Sequence, residues 1–118
     1  MKIHAKCLMS ALLGFALTAA APAARAEETQ WQKNHPRRTQ VNKRLNRQNR
    51  RIRQGVKNGT LTKQQAHQLH QEDHQTRQEE RDMAAQNGGH ITKQEQRTLN
   101  KQENKESQHI YNQKHDGQ

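Results

Sequence analysis

Aliphatic residues recur along residues 36–57 at the spacing of a single helix face. Four of them fall within about 60° of one another on a helix that turns 100° per residue: Val41, Leu45, Ile52 and Val56. Gln48 and Asn49 interrupt this stripe halfway, so the apolar face consists of two small patches. The pattern predicts a first helix over 36–57.

A short motif occurs twice and marks two corners of the chain. Its copies are Gly59-Thr60-Leu61-Thr62-Lys63-Gln64-Gln65 and Gly89-His90-Ile91-Thr92-Lys93-Gln94-Glu95. Each copy has a glycine that can take positive φ, one aliphatic residue, and a Thr followed three positions later by Gln or Glu. This order is typical of a helix end followed by a capped helix start. The residues predicted to build the corners are Gly59, Leu61, Thr62 and Gln65, then Gly89, Ile91, Thr92 and Glu95.

The corners divide the rest of the chain into two further predicted helices, at about 62–86 and 92–114. The expected fold is all-α, with three helices in an antiparallel or splayed arrangement, because connections of four or five residues place successive helices side by side. Residues 36–114 form this helical domain in the prediction. Residues 27–35 are expected to be a disordered lead-in, and residues 115–118 a disordered tail.

The first 26 residues have the pattern of a cleaved export signal. Lys2 and Lys6 precede an uncharged stretch, and Ala24-Arg25-Ala26 supplies the small-x-small pattern of a cleavage site. The apolar segment is short for a bilayer span of roughly 20 residues. We therefore expect a periplasmic protein, cleaved after Ala26, with no transmembrane segment and no cysteine left.

Charge is distributed unevenly over the remaining residues. Three of the 21 Lys and Arg side chains belong to residues 1–26, so that 18 remain beside 11 acidic side chains, a net charge of +7. Eleven basic residues and no acid lie between Thr29 and Gln71. Leu, Ile and Val together contribute only nine residues after position 26, so the predicted core is marginal.

The five arginines of the segment 44–53 in the first helix are the candidate binding site. They are Arg44, Arg47, Arg50, Arg51 and Arg53. In a cytosolic protein this cluster would indicate a nucleic-acid helix. Export removes nucleic acid as a partner and leaves other polyanions, namely anionic envelope surfaces or acidic segments of unfolded or envelope proteins. The alternative is a basic face that only keeps the chain soluble.

A histidine group on the second helix is the candidate metal site. His67, His70 and His74 have helical spacing, and residues three or four apart can bring two imidazoles to one ion. All three cannot bind one ion from a straight helix, so His35, His90 or a second subunit in a homodimer would have to contribute. A transition metal such as Zn²⁺, Cu²⁺ or Ni²⁺ is the expected cofactor in this alternative. The other interpretation of these histidines is a solvated, His-rich helix face, and in that case no cofactor is expected.

The corner motif resembles that of a known family. Leu61-Thr62-Lys63-Gln64-Gln65 matches the LTxxQ motif of the Spy/CpxP family of periplasmic chaperones and stress sensors, and Ile91-Thr92-Lys93-Gln94-Glu95 resembles a second copy with Ile and Glu in place of Leu and Gln. The resemblance implies an exported all-helical protein, often a cradle-shaped dimer, that holds unfolded clients without ATP.

A longer resemblance runs from Asn42 to Asp116. Arg51-Ile52-x-x-Gly55-Val56-x-x-Gly59-x-Leu61-Thr62 and Ile110-Tyr111-x-x-Lys114-His115-Asp116 are similar to small exported proteins of Gram-negative bacteria. This similarity implies a fold and a location, and no activity.

The expected function is that of an exported, non-enzymatic binding protein. A periplasmic stress factor or holdase-type chaperone that uses the basic helix is the first hypothesis, and a periplasmic metal buffer or sensor is the alternative. We expect no enzyme, because after cleavage Ser107 is the only serine, no thiol remains, and so few aliphatic residues cannot enclose a dry pocket.

Overall fold

The computed structural model describes residues 27–116, which form four helices and no strand. The helices are α1 (Gln30–Asn34), α2 (Pro36–Lys57), α3 (Lys63–Gln86) and α4 (Lys93–His115). The predicted all-α class is confirmed, and the three long helices lie close to the predicted ranges. The predicted export signal, residues 1–26, and the end of the predicted tail, residues 117–118, lie outside the described residues.

The prediction of three helices is wrong by one, because α1 forms within the expected lead-in. A capping box starts it: the Gln32 N–H donates to Thr29 Oγ1 at 3.2 Å, and the Thr29 N–H donates to Gln32 Oε1 at 2.8 Å. The Thr39 hydroxyl of α2 donates to the Gln32 carbonyl at 3.0 Å. Five residues are too few for an independent helix, so α1 depends on α2 for its stability.

The two corners turn the chain through glycines in the left-handed region. Gly59 has φ 81° and Gly89 has φ 92°, values that other L-residues adopt only with strain. Leu61 and Ile91 follow them and are buried, with exposed fractions of 4% and 2%. The Leu61 N–H donates to the Gly55 carbonyl at 2.9 Å and closes the end of α2.

Each long helix after a corner starts with the same capping box. In α3 the Gln65 N–H donates to Thr62 Oγ1 at 3.1 Å and the Thr62 N–H donates to Gln65 Oε1 at 2.9 Å. Thr92 and Glu95 repeat this pair of hydrogen bonds in α4, at the same two distances. Both caps thus satisfy N–H groups that would otherwise lack a partner at a helix start.

Removing both caps should weaken the fold. We expect Thr62→Ala and Thr92→Ala each to lower the free energy of unfolding by about 1 kcal/mol, because each leaves an N–H at a helix start unpaired. Thr98→Ala is the matched control, since Thr98 is exposed within α4 and its hydroxyl only bonds the Gln94 carbonyl of its own helix. Thermal melts followed by circular dichroism should separate the cap variants from this control. Equal effects of all three substitutions would contradict the capping role.

The three long helices pack against one another as an antiparallel bundle with an apolar cluster near each end. The first apolar cluster joins residues from the start of α2, the end of α3 and the start of α4: Val41, Leu45, Ala84, Ile91 and Leu99. The second apolar cluster joins the opposite ends: Ile52, Leu61, Ala66, Leu69 and Ile110. Each cluster includes the aliphatic residue of one corner, so each corner closes one end of the bundle.

A polar layer separates the two apolar clusters. The buried positions of α3 recur every three or four residues, which is the spacing of a bundle core: Ala66, Leu69, Asp73, Thr76, Glu80 and Ala84. The buried positions of α4 follow the same rule: Leu99, Glu103, Glu106 and Ile110. Asp73, Glu103 and Glu106, which we call the carboxyl layer, thus occupy core positions in the middle of the bundle, near Gln48 of α2.

Candidate polyanion-binding face

The packing of α2 leaves one of its sides in solvent, and arginines occupy that side. Val41, Leu45, Gln48 and Ile52 point into the bundle, whereas Arg47, Arg50 and Arg53 are exposed. A shallow, open groove of about 440 Å³ lies between the long side chains that project from this one helix. Its lining, which we call the basic face, consists of Arg47, Arg50, Arg51, Arg53, Gln54 and Lys57. From Arg47 to Lys57 the basic face extends roughly 15 Å along the helix axis.

The cations of the basic face have no carboxylate partner within residues 27–116. The ion pairs in this part of the chain join Arg38 to Glu80, Lys43 to Glu28, and His109 to Glu72. Guanidinium groups are planar donors that bind phosphates and carboxylates in a bidentate manner. The basic face is therefore free to bind an external anion.

The structure divides the five predicted arginines into two groups. Arg44 turns away from the groove toward α4, where it donates to the Asn100 carbonyl at 3.5 Å and to Asn104 Oδ1. Arg51 lies between the two groups, because it lines the groove and also donates to Ser107 Oγ at 2.9 Å. Arg47, Arg50 and Arg53 remain as the exposed centre of the face. Lys57, which sequence reasoning did not single out, joins them.

Arg38 is a structural arginine that sequence reasoning missed. Its guanidinium donates to both carboxylate oxygens of Glu80, at 2.5 and 3.4 Å, and to the Gly89 carbonyl at 3.1 Å. It also lies 5.1 Å from the centre of the Trp31 ring, within the range of a cation–π contact. This side chain ties α2 to α3, to the second corner and to α1.

Burial of acidic residues makes the surface more basic than the sequence indicates. All 11 acidic residues lie within residues 27–116, and four of them are buried: Asp73, Glu80, Glu103 and Glu106. Burial raises the pKa of Glu103 and of Glu106 to about 8, which favours the neutral form of both side chains at pH 7. The positive charge on the surface is correspondingly less compensated.

The three histidines of the candidate metal site lie on α3 beside α2. His67 and His74 are exposed, and His70 is partly buried with its Nδ1 2.9 Å from Asn49 Oδ1. Burial, with Arg53 and His67 nearby, lowers the pKa of His70. Within residues 27–116 no group of three or more His, Cys, Asp or Glu side chains is arranged to hold a metal ion. His35 and His90 stack on each other, with ring centres 4.5 Å apart, at the second corner.

Comparisons with protein-family models, with curated proteins and with solved structures gave no significant match to this chain. The two resemblances seen in the sequence therefore stay predictions.

The described surface offers little apolar area for a partner. Trp31 and Tyr111 are the exposed large apolar side chains in this part of the chain, at 44% and 52% of their full exposure. Trp31 is stacked on His35, and Tyr111 on His115. Among the described helices, none has a stretch long and apolar enough to cross a bilayer. Charge is thus the main recognition property that this surface presents.

Proposed function

We propose that this chain is an exported, non-enzymatic protein that binds polyanions through the basic face of α2, with the anionic surface of the cell envelope as its partner. The observation that carries the proposal is the groove lined by Arg47, Arg50, Arg51 and Arg53, whose cations have no carboxylate partner within residues 27–116. Arrays of unpaired arginines attract phosphate groups, and each basic residue near an anionic surface contributes about 1 kcal/mol.

The predicted export signal supports the choice of partner. A protein with residues 1–26 removed in the periplasm would meet lipid headgroup phosphates and other envelope anions rather than nucleic acid. The chaperone hypothesis shares the same basic face and differs in the partner, which would be an acidic segment of an unfolded protein. The small exposed apolar area favours the envelope surface, because it offers an unfolded chain few apolar contacts.

Binding to vesicles tests this proposal. Residues 27–118, which contain helices α1 to α4, should bind vesicles that contain phosphatidylglycerol and should not bind vesicles of phosphatidylcholine alone. Binding should weaken as salt rises, because the Debye length falls to about 10 Å at 0.1 M and shorter above it. Changing Arg47, Arg50 and Arg53 to Gln should weaken binding about a hundredfold, since three contributions of about 1 kcal/mol are lost.

A second triple variant controls for net charge. Arg81, Arg97 and Lys101 are exposed on α3 and α4, and changing all three to Gln removes the same charge from other faces of the bundle. This control should retain most of the affinity. Equal losses in both triple variants would mean that diffuse charge, not the basic face, drives binding. Suppression of aggregation of a reduced, unfolding acidic protein, without vesicle binding, would instead favour the chaperone hypothesis.

A further inference from the structure

The carboxyl layer is the strongest feature of the bundle that polyanion binding does not use. Asp73, Glu103 and Glu106 are exposed by only 2%, 0% and 7%, and they lie between the two apolar clusters. We propose that the carboxyl layer is a proton-operated latch, which holds α4 on α2 and α3 while it is protonated and releases α4 as it ionises.

The shortage of hydrogen-bond donors in the layer favours the protonated form, whereas its one donor to a carboxylate among the described residues, the Thr76 hydroxyl, favours ionisation of Glu106. The Thr76 hydroxyl donates to Glu106 Oε1, and the Gln48 side-chain amide donates to the Glu103 backbone carbonyl at 2.8 Å. Within residues 27–116, no donor group reaches either carboxylate oxygen of Glu103, either oxygen of Asp73, or Oε2 of Glu106. An ionised carboxylate needs such donors when it is buried, whereas a carboxylic acid supplies a donor of its own.

Asp73 and Glu106 are close enough to share a proton. They face each other between α3 and α4, and each affects the ionisation of the other. Two ionised carboxylates within hydrogen-bonding reach of each other repel. A single proton held between them removes this repulsion and joins the two helices. In the ionised state the same two groups would push α4 away from α3.

Charged groups on α2 and α3 face the layer. Arg44 and Arg47 of α2 favour ionisation of Glu103. Arg77 of α3 favours ionisation of both Asp73 and Glu103. Glu72 of α3 opposes ionisation of both Asp73 and Glu106. Two of these arginines also have other partners: Arg44 donates to Asn104, and Arg77 donates to Asn42 and Asn46. Burial outweighs the three arginines, since the pKa of Glu103 is still raised to about 8.

The direction of the pH effect follows from proton binding. Burial raises the pKa of Glu103 and Glu106 from 4.5 to about 8, and that of Asp73 from 3.8 to about 6. Between these limits the folded state binds more protons than the unfolded state, so stability falls as pH rises. The contribution of the two glutamates is complete below about pH 4.5 and is lost above about pH 8.

The pH dependence of thermal unfolding, compared between the unmodified chain and its variants, tests the latch. For residues 27–118 we expect Tm to fall by about 10 °C or more between pH 5 and pH 9. The double variant Glu103→Gln, Glu106→Gln should lose most of this dependence, because amides do not titrate. The control Glu27→Gln, Asp82→Asn changes two exposed acids and should keep the dependence of the unmodified chain. A flat Tm in the unmodified chain, or an unchanged slope in a folded Glu103→Gln, Glu106→Gln variant, would overturn the proposal.

Carboxyl NMR of the unmodified chain tests the latch without any substitution. In a sample with ¹³C-labelled glutamate, two carboxyl carbons should titrate well above pH 6.5, and their midpoints should coincide with the loss of α4 amide protection. If every glutamate titrates below pH 6, the carboxyl layer is not a latch. This experiment decides the matter even if the glutamine variant does not fold.

Discussion

Arg38→Ala should lower the free energy of unfolding by about 3–5 kcal/mol. Glu80 is exposed by only 1%, and among residues 27–116 its ion-pair partner is Arg38. Removing the guanidinium leaves a buried carboxylate without its charge partner and frees the Gly89 carbonyl of the second corner. A domain of this size has only about 5–15 kcal/mol of stability in total, so the variant should be largely unfolded in mild denaturant.

Replacing both partners should restore the fold. The double variant Arg38→Leu, Glu80→Met removes the buried charge together with its partner, and apolar replacements of buried ion pairs are often neutral or stabilising. Arg81→Ala is the control, because Arg81 is an exposed arginine on the same helix as Glu80. Urea unfolding followed by circular dichroism measures all three. A mild effect of Arg38→Ala, similar to that of Arg81→Ala, would show that the pair contributes little.

Gly55→Ala should destabilise the protein by about 2–3 kcal/mol, although alanine has the higher helix propensity by about 1 kcal/mol. Gly55 is buried in α2, and a Cβ atom there would lie 2.5 Å from Leu61 Cδ1, 2.7 Å from Leu61 Cγ and 2.9 Å from Lys114 Cε. Leu61 closes the second apolar cluster at the first corner and is itself buried, with an exposed fraction of 4%. The added methyl group should therefore displace the corner.

The control for this substitution is Gln54→Ala. Gln54 is the exposed neighbour of Gly55, so alanine there gains helix propensity without touching the core. Its free energy of unfolding should be unchanged or slightly raised in urea titrations. Stabilisation by Gly55→Ala, as by Gln54→Ala, would contradict this prediction. It would mean that Leu61 moves away from the added Cβ atom at little cost, so that the higher helix propensity of alanine determines the stability.

The helices and their ends were predictable because local signals agreed with one another. Thr62 and Thr92 each carry a complete capping signature, and the glycines before them can take positive φ. The short helix α1 has the same signature at Thr29 and Gln32, but no apolar run follows it. Its formation depends on contacts with α2, and such tertiary contacts leave no mark on the local pattern.

The burial of acidic residues was not predicted, because core positions were assigned from apolar residue type and not from helical spacing. Asp73 and Glu80 continue the three-and-four spacing that begins at Ala66 and Leu69, and Glu103 and Glu106 do the same between Leu99 and Ile110. A search for apolar residues passes over these positions, since acids are rarely buried. The spacing alone would have indicated them.

The sequence predicted which helix carries the candidate site, but not which of its arginines share one exposed surface. The arginines at 44, 47, 50, 51 and 53 look alike in the sequence, because all belong to one basic segment. Their roles depend on where α4 packs, which turns Arg44 toward Asn104 and leaves Arg47 and Arg50 in solvent. Since α4 is some fifty residues further along the chain, its position could not be read from the segment itself.

The carboxyl layer also fixes how the helices align along their axes. Aliphatic side chains alone allow neighbouring helices to shift by a turn, because one apolar contact can replace another. A shift of α4 by one turn would place Glu103 where Leu99 now meets the first apolar cluster, or Glu106 where Ile110 meets the second. Either shift puts a carboxyl group among aliphatic side chains and separates Glu106 from Thr76. A described core with ten buried apolar residues thus obtains a single alignment from its acidic side chains.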